Sequence, residues 1–425
     1  MSDLLNINFQ KEILDNGLEV IISEDNSIPI VSVNIWYKVG SANESRGKTG
    51  FAHLFEHMMF QGSLHVPKEM HFRYIQEAGG KLNGSTSFDK TNYYETLPSN
   101  SLELALWLES DRMGFLLPAL TQEKLSNQKD VVMNERRQNY DNQPYGLQWE
   151  LLFSNLFTPD HPYSWPTIGL MSDIEKFELE DVQNFFNQYY SPNNASLVIA
   201  GNVNTKDAFE SVKKYFDDIP ANQLKYSIKK INPLLNENKL YIHHDNVQLS
   251  KLFFAWNTVA QYEEDDAALE ILSVILAGNK NSKLNKRVVF EKQIAQNISA
   301  FQFSGVVSGA FIITATIKPD VSVGNVKEEI LKVISELHTN ITDDEISRAK
   351  NSIKSIFIAS LQHMESLADQ MNHYNTYLNN PNAFQYDLNR YNSVTKEKLI
   401  TVVTKYFSQY YSELRIVPKE DKNAE

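Results

Sequence analysis

Residues 50–60 of the chain read GFAHLFEHMMF, and the spacing of their side chains predicts a helix with two different faces. The apolar residues recur at i, i+3, i+4, i+7 and i+8, which is the pattern of a helix that packs one side against a core. They are Phe51, Leu54, Phe55, Met58 and Met59. The opposite side carries the residues that could perform chemistry, which are His53, Glu56, His57 and Phe60.

The polar side of this helix has the composition of a metal site. His53 and His57 are four residues apart, so their imidazoles lie one turn apart on the same side and can bind one ion. Neutral imidazole suits Zn²⁺, and a hydrolytic zinc site combines three protein ligands with one position for water. Glu135, on a second predicted helix over residues 122–139, is the best candidate for the third ligand. Glu56 would then act as the general base, because zinc lowers the pKa of its bound water to about 7.

Helices and alternating strands are mixed along the chain, which predicts an α+β fold rather than a parallel doubly wound sheet. Three blocks of sequence recur in order at a nearly constant offset, and this favours an internal duplication. The matching blocks are 33–37 with 252–256, 120–126 with 341–347, and 182–199 with 399–416. We therefore predict two homologous domains, residues 1–219 and 240–425, joined by a linker over 220–239. Each domain is expected to be a mostly antiparallel sheet covered by helices.

Composition limits the classes of partner and of metal ligand. The chain has 40 basic and 53 acidic residues and a net charge of −13, which argues against broad binding to nucleic acid or anionic lipid. It has no cysteine, so any metal must be held by His, Asp or Glu. No segment approaches ~18 uninterrupted apolar residues, and the start lacks a signal-peptide pattern. We expect no membrane association and a cytoplasmic location, or a periplasmic one if a signal segment has been removed.

The sequence around the first helix resembles the pitrilysin/insulinase metallopeptidases, the inverzincins, whose His-x-x-Glu-His motif reverses the more common zinc motif. The resemblance is carried by residues 50–63, 79–86 and 134–138, and the duplicated halves match the family plan. It is closest to the half-length members, such as the mitochondrial processing peptidase β subunit and its bacterial relatives. The resemblance implies a metallopeptidase half-clamshell, with zinc on His53, His57 and Glu135 and with Glu56 as the general base.

The resemblance also implies a way of binding a peptide substrate. In such enzymes the peptide adds as an extra strand at a sheet edge, where the residue matching Asn83 holds its backbone. The polar, glycine-flanked stretch Leu82–Phe88 is a candidate for this edge, with an ordinary solvated edge strand as the alternative. Phe60 would line the pocket for the residue after the cut, with simple core packing as the alternative.

Two regions depart from the family pattern. Gln128 stands two turns before Glu135, where members often have a glutamate; its amide could hydrogen-bond a zinc ligand but adds no charge. In the second half, Val289 and Gln296 occupy the positions where the family has an Arg and a Tyr that bind substrate and stabilise the oxyanion. Loss of one such donor can cost about 10²–10³ in rate. We therefore expect a second chain to provide the missing groups.

These inferences predict a zinc-dependent endopeptidase that hydrolyses unstructured peptides inside a dimeric clamshell. This chain would be the zinc-bearing subunit of a heterodimer whose metal-free homologous subunit supplies the Arg and Tyr. A homodimer is the alternative assembly. A non-catalytic structural subunit, similar to the core proteins of respiratory complexes, is the alternative function.

Overall fold

The computed structural model describes residues 5–223, 230–231 and 233–419. Within these residues, eleven strands form two sheets. The strands are β1 (Gln10–Ile13), β2 (Glu19–Glu24), β3 (Ile30–Tyr37), β4 (Lys81–Thr86), β5 (Thr91–Pro98), β6 (Ala195–Gly201), β7 (Lys239–Asp245), β8 (Lys251–Thr258), β9 (Ala295–Ser304), β10 (Gly309–Ile317) and β11 (Ser412–Pro418).

Helices surround both sheets, and the α+β class expected from the sequence is confirmed. The α-helices are α1 (Phe51–Met58), α2 (Met70–Glu77), α3 (Leu102–Phe115), α4 (Gln122–Arg136), α5 (Gln148–Leu156), α6 (Met171–Ile174), α7 (Leu179–Tyr189), α8 (Thr205–Phe216), α9 (Asp266–Ala277), α10 (Val323–Asn340), α11 (Asp343–Ser360), α12 (Met364–Leu378), α13 (Phe384–Asn392) and α14 (Lys396–Phe407). None of the helices in the described residues is long and apolar enough to cross a bilayer.

The two sheets share one topology. The first sheet has the strand order β1-β2-β6-β3-β5-β4, and the second has the order β7-β11-β8-β10-β9. The pairs β2–β6 and β7–β11 are parallel, and all other neighbouring strands are antiparallel. When β1 is left out, each strand of one sheet therefore has a counterpart in the other, as an internal duplication requires.

The chain forms two compact units that interleave along the sequence. The first unit groups residues 5–134 with 166–223 and 357–387. The second groups residues 135–165 with the described residues between 230 and 356 and with 388–419. The expected linker, 220–239, includes residues 224–229 and 232, which lie outside the described residues. That linker and the homologous limits 1–219 and 240–425 stay predictions.

Helix α12 joins the first unit, although the strands β7–β10 precede it in the chain. It packs on β3 and β6 with a face of buried side chains. Glu19 on β2 accepts hydrogen bonds from Lys11 at 2.7 Å, Lys38 at 2.8 Å and Asn375 of α12 at 2.9 Å. A second amide of α12, that of Asn372, donates to the backbone carbonyl of Asn34 at 2.8 Å. These buried and partly buried polar contacts fix α12 on one face of the first sheet, and α1 and α3 pack against β3, β4 and β5.

Candidate active site

Hydrogen bonds to the residues before α1 fix the start of this helix. The Glu44 carboxylate accepts from the backbone N–H of Gly50 at 2.9 Å and of Ala52 at 2.7 Å, which places a negative charge at the positive end of the helix dipole. The Thr49 hydroxyl donates to buried Asp173 at 2.8 Å. Gly50 has a φ of +95°, and a Cβ there would lie 2.7 Å from the carbonyl oxygen of Ile168. The sequence thus sets both the start of α1 and its orientation.

The two faces predicted for α1 are present. The five apolar residues of the stripe are buried, whereas His53, Glu56 and His57 are half-buried on the other side. The centroids of the two imidazole rings are 4.8 Å apart, with an angle of 69° between the ring planes. The face that carries the histidines is therefore accessible at the surface of the first unit.

Glu135 comes close to the two histidines. It lies in the last turn of α4, whose first 13 residues belong to the same unit as α1, and a π-helical segment over Arg137–Asp141 follows it. One ligand atom each from His53, His57 and Glu135 lies within 4.8 Å of the other two. Ligands bound tetrahedrally to zinc at about 2.0–2.1 Å are roughly 3.3 Å apart, so small side-chain adjustments would bring all three onto one ion. Two imidazoles and one carboxylate fit zinc by chemistry and by spacing.

Glu56 lies between α1 and the edge strand β4. The Thr86 hydroxyl of β4 donates to Glu56 Oε2 at 2.5 Å. Gly84 permits this close packing, because a Cβ at that position would lie 3.3 Å from both Glu56 Cγ and Phe60 Cε2. The strand therefore runs directly beside the acid that the sequence assigns as general base.

The strand β4 is an edge of its sheet, as the sequence predicts. Among the described residues it pairs with β5 alone, so its outer backbone groups face away from the sheet. It spans Lys81–Thr86 rather than the expected Leu82–Phe88, because Ser87 and Phe88 accept backbone hydrogen bonds from Ser41 and Ala42 instead. Asn83 is exposed on β4, and its side-chain oxygen accepts from the N–H of Gly84 at 3.0 Å. Its role in holding a peptide stays a prediction.

Phe60 belongs to an aromatic group beside the site. Its ring centroid lies 4.7 Å from that of Phe72, 5.7 Å from that of Tyr93 and 5.8 Å from that of His71. Phe60 itself is half-buried, and Phe72 is 37% exposed. An apolar side chain could therefore reach this group from solvent, and the role of Phe60 in a substrate pocket stays a prediction.

The positions that depart from the family pattern lie in three different elements. Gln128 is buried in α4, and in the part of the chain described its amide donates to Asn127 at 3.0 Å rather than to a zinc ligand. Val289 lies in a π-helical segment over Asn285–Glu291, and Gln296 lies at the start of β9. The influence of Gln128 on the ligands stays a prediction.

A buried ionic cluster lies behind Phe60 and was not predicted from the sequence. Arg112 donates to Glu109 at 2.9 Å and lies 3.6 Å from Glu95, and His71 lies 3.5 Å from Glu95. Burial raises the pKa of Glu95 well above its usual value, and the charge of Glu109 raises it further. Burial also lowers the pKa of His71. The Arg112 guanidinium already lies beside both carboxylates, and the presence of that cation disfavours a metal ion here.

The buried location of Glu109 and Arg112 had one signal in the sequence. The two residues lie three apart in α3, a helix whose apolar residues leave no continuous polar side. A charged pair on such a helix cannot reach solvent and must be paired inside.

Comparison with known proteins identifies the family. A family model described as insulinase (peptidase family M16) matches residues 19–161, and one described as the peptidase M16 inactive domain matches residues 176–353. The chain is 31% identical over 363 residues to the zinc protease PqqE of Helicobacter pylori, covering 84% of this chain and 80% of that protein. The chain belongs to peptidase family M16.

Two further relatives agree with this membership. A probable mitochondrial-processing peptidase subunit beta of Arabidopsis thaliana is 24% identical over 369 residues, covering 84% of this chain and 68% of that protein. The crystal structure of a protease from Helicobacter pylori matches the fold with a TM-score of 0.90 at 27% identity, covering 97% of this chain and all of that one. The M16 chain described here is thus similar to zinc proteases over most of its length.

Proposed function

We propose that this M16 chain is a zinc-dependent endopeptidase that hydrolyses unstructured peptides bound along β4. The observation that carries the proposal is the convergence of His53, His57 and Glu135, with Glu56 on the same helix and directly beside an open strand edge. Relatives named zinc proteases support the choice of metal and of reaction class.

Each residue of the candidate site has a separate role in the proposed reaction. His53, His57 and Glu135 would hold the zinc, which when bound acts as a Lewis acid and supplies a nucleophilic water near neutral pH. Glu56 takes the proton of the attacking water and passes it to the departing amine. Thr86 orients the Glu56 carboxylate by donating a hydrogen bond to Oε2.

The open edge of β4 would hold the peptide. Backbone hydrogen bonds to an edge strand require an extended and locally unfolded segment, and they depend little on the peptide sequence. This restricts the substrates to unstructured chains, and any preference must come from side chains on the two sides of the new strand. Asn83 would position the peptide backbone, and Phe60 would accept the side chain that follows the cut.

A second subunit completes the site in this proposal. The positions of the family Arg and Tyr hold Val289 and Gln296, so the second half of this chain would not stabilise the oxyanion. One relative is named as a subunit, and the second half matches a model described as an inactive domain. The name of that relative supports an assembly of more than one chain, and we propose a heterodimer in which a metal-free homologous chain supplies these groups.

Native mass spectrometry of the protein purified from its own cells tests the assembly. We expect one zinc on this chain and a second, different subunit, and co-expression with that subunit should raise peptidase activity many-fold. A zinc-loaded homodimer with full activity would contradict the proposal that a second, different chain supplies the Arg and Tyr. A metal-free assembly would instead support the structural-subunit alternative.

A further inference from the structure

A polar cavity lies beside β4 on the face of the first sheet that α12 covers. Its volume is about 290 Å³. The strands contribute Asn34, Asn92 and Tyr94, α12 contributes Glu365 and Asp369, and Ser85 of β4 lines the side next to the open edge. Successive side chains of a strand point to opposite faces. Since Gly84 and Thr86 contact α1, Ser85 points away from the zinc ligands, and the cavity is separate from the candidate active site.

Asp369 and Lys90 form a preorganised ion pair inside this cavity. The Asp369 carboxylate accepts from Trp36 Nε1 at 2.8 Å and from Asn92 Nδ2 at 3.0 Å. The Lys90 ammonium lies 3.4 Å from Asp369 and 3.7 Å from the centroid of the Trp36 ring. Lys90 is thus held by an aromatic face and a carboxylate, and its charge is already balanced by Asp369.

Glu365 gives the cavity its excess charge. Among the lining residues, Glu365 and Asp369 are acidic and Lys90 is basic, which leaves one negative charge. Glu365 is paired with Lys81 at 2.7 Å, but the Lys81 side chain is 71% exposed and lies outside the cavity lining. An ion pair with one partner this exposed contributes little, because solvent screens it and the long lysine side chain must be held in place. A cation that enters the cavity could therefore replace Lys81 as the partner of Glu365.

We propose that this cavity is a subsite for a lysine or arginine side chain of the bound peptide. The inference rests on the proposed function, because it requires the peptide to lie along β4. Alternate side chains of an added strand would face α1 on one side and α12 on the other. Lysine and arginine carry their charge beyond three or four methylene groups, which lets them pass the small Ser85 and reach Glu365. An acidic side chain would be repelled there, and an apolar one would leave the polar lining groups unsatisfied.

Peptide binding to the Glu56→Gln chain, purified in its native assembly, tests this subsite without relying on catalysis. The probes are fluorescent unstructured peptides in sets of three, which differ only by having Arg, norleucine or Glu at one position. A separate set is made for each position along the peptide. At one or two alternate positions we expect Arg to bind about threefold to tenfold more tightly than norleucine, and Glu more weakly than both.

Substitutions of Glu365 test whether the preference for Arg arises in this cavity. Glu365→Gln should reduce the Arg advantage below about twofold, and Glu365→Lys should favour the Glu peptide. Glu328→Gln, an exposed acid on α10 in the other unit, is the matched control and should keep the Arg advantage. Circular dichroism and zinc content identify any variant that misfolds.

The two proposals fail in different ways. An Arg advantage that persists in Glu365→Gln, the absence of any charge preference, or the absence of peptide binding would overturn the subsite. If the peptides bind with the expected preference but the wild-type assembly hydrolyses none of them, the subsite stands and the peptidase proposal fails.

Discussion

The hydroxyl of Thr86 donates to the carboxylate of Glu56 at 2.5 Å, and this bond connects the open strand β4 to the helix that carries both histidines. The strand expected to bind substrate thereby also orients the expected general base. This hydrogen bond between β4 and α1 thus links the position of the peptide to the position of the proton acceptor.

Thr86→Val should test this link, because it removes the hydroxyl and keeps the branched shape. A hydrogen bond to a charged group is worth about 1.5–3 kcal/mol, so we expect kcat to fall about tenfold to a hundredfold. Thr86→Ser retains the donor and should recover most of the activity. Steady-state kinetics at matched zinc content measures the effect, and equal rates for the Val and Ser variants would show that the bond does not matter.

Glu135→Gln should weaken zinc binding more than about 100-fold, because an amide replaces an anionic ligand. Competition with a chromogenic chelator measures the affinity. Zinc should also raise the unfolding temperature of the wild-type chain but not that of the variant, since a ligand stabilises only the state that binds it. His244→Ala removes an exposed histidine of β7 and is the control. Equal zinc affinity in the wild type and in Glu135→Gln would remove Glu135 from the ligand set.

Arg112→Met should destabilise the first unit by about 3–5 kcal/mol, because it leaves buried Glu109 without its cation. The double variant Arg112→Met with Glu109→Gln removes both charges and should recover part of the loss. Denaturant unfolding measures both variants. If the single and double variants are equally stable, the ion pair is not what holds this cluster together.

Glu19 should make the chain sensitive to acid. Burial opposes its ionisation, but the ammonium groups of Lys11 and Lys38 hold the pKa of Glu19 at about 2. Its usual value is 4.5, so the ionised carboxylate stabilises the folded state above pH 4.5, and this contribution is lost as the pH falls towards 2. Because solvent screens this partly exposed group, we expect the contribution to be about 2 kcal/mol rather than the full value of the pKa change.

The unfolding free energy of Glu19→Gln should therefore change less between pH 5 and pH 2 than that of the wild type. Glu328→Gln should follow the wild type, because Glu328 is exposed and lies in the other unit. If the unfolding free energies of the wild type and of Glu19→Gln fall by the same amount between pH 5 and pH 2, this carboxylate does not have the proposed role.

Local periodicity was sufficient to predict α1 and the edge strand. The apolar spacing of α1 identified its buried stripe, and the flanking glycines identified β4, because both signals act within a few residues. The proximity of Glu135 to the histidines depends on how α4 packs against α1. Spacing within α1 could not identify it: Glu135 was the best candidate because it lies on a separate predicted helix, and the family resemblance implied the same residue.

Tertiary contacts explain what the sequence did not reveal. Helix α12 lies in the second half of the chain, but its amides pair with Glu19 and Asn34, so it packs on the first sheet. Glu109 and Arg112 are buried as a mutual pair, and the sequence indicates this only indirectly, because the apolar residues of α3 leave no continuous polar side. Neither contact leaves a periodic pattern in the sequence.

Hydrolysis of an unstructured peptide by the wild-type assembly and by its Glu56→Gln variant, at equal zinc content, tests the central claim most directly. We predict that the variant keeps its zinc and its companion subunit and loses at least about 10²-fold in rate, because only proton transfer is removed. Equal rates in the two preparations would contradict the assignment of this chain as a zinc peptidase with Glu56 as its base.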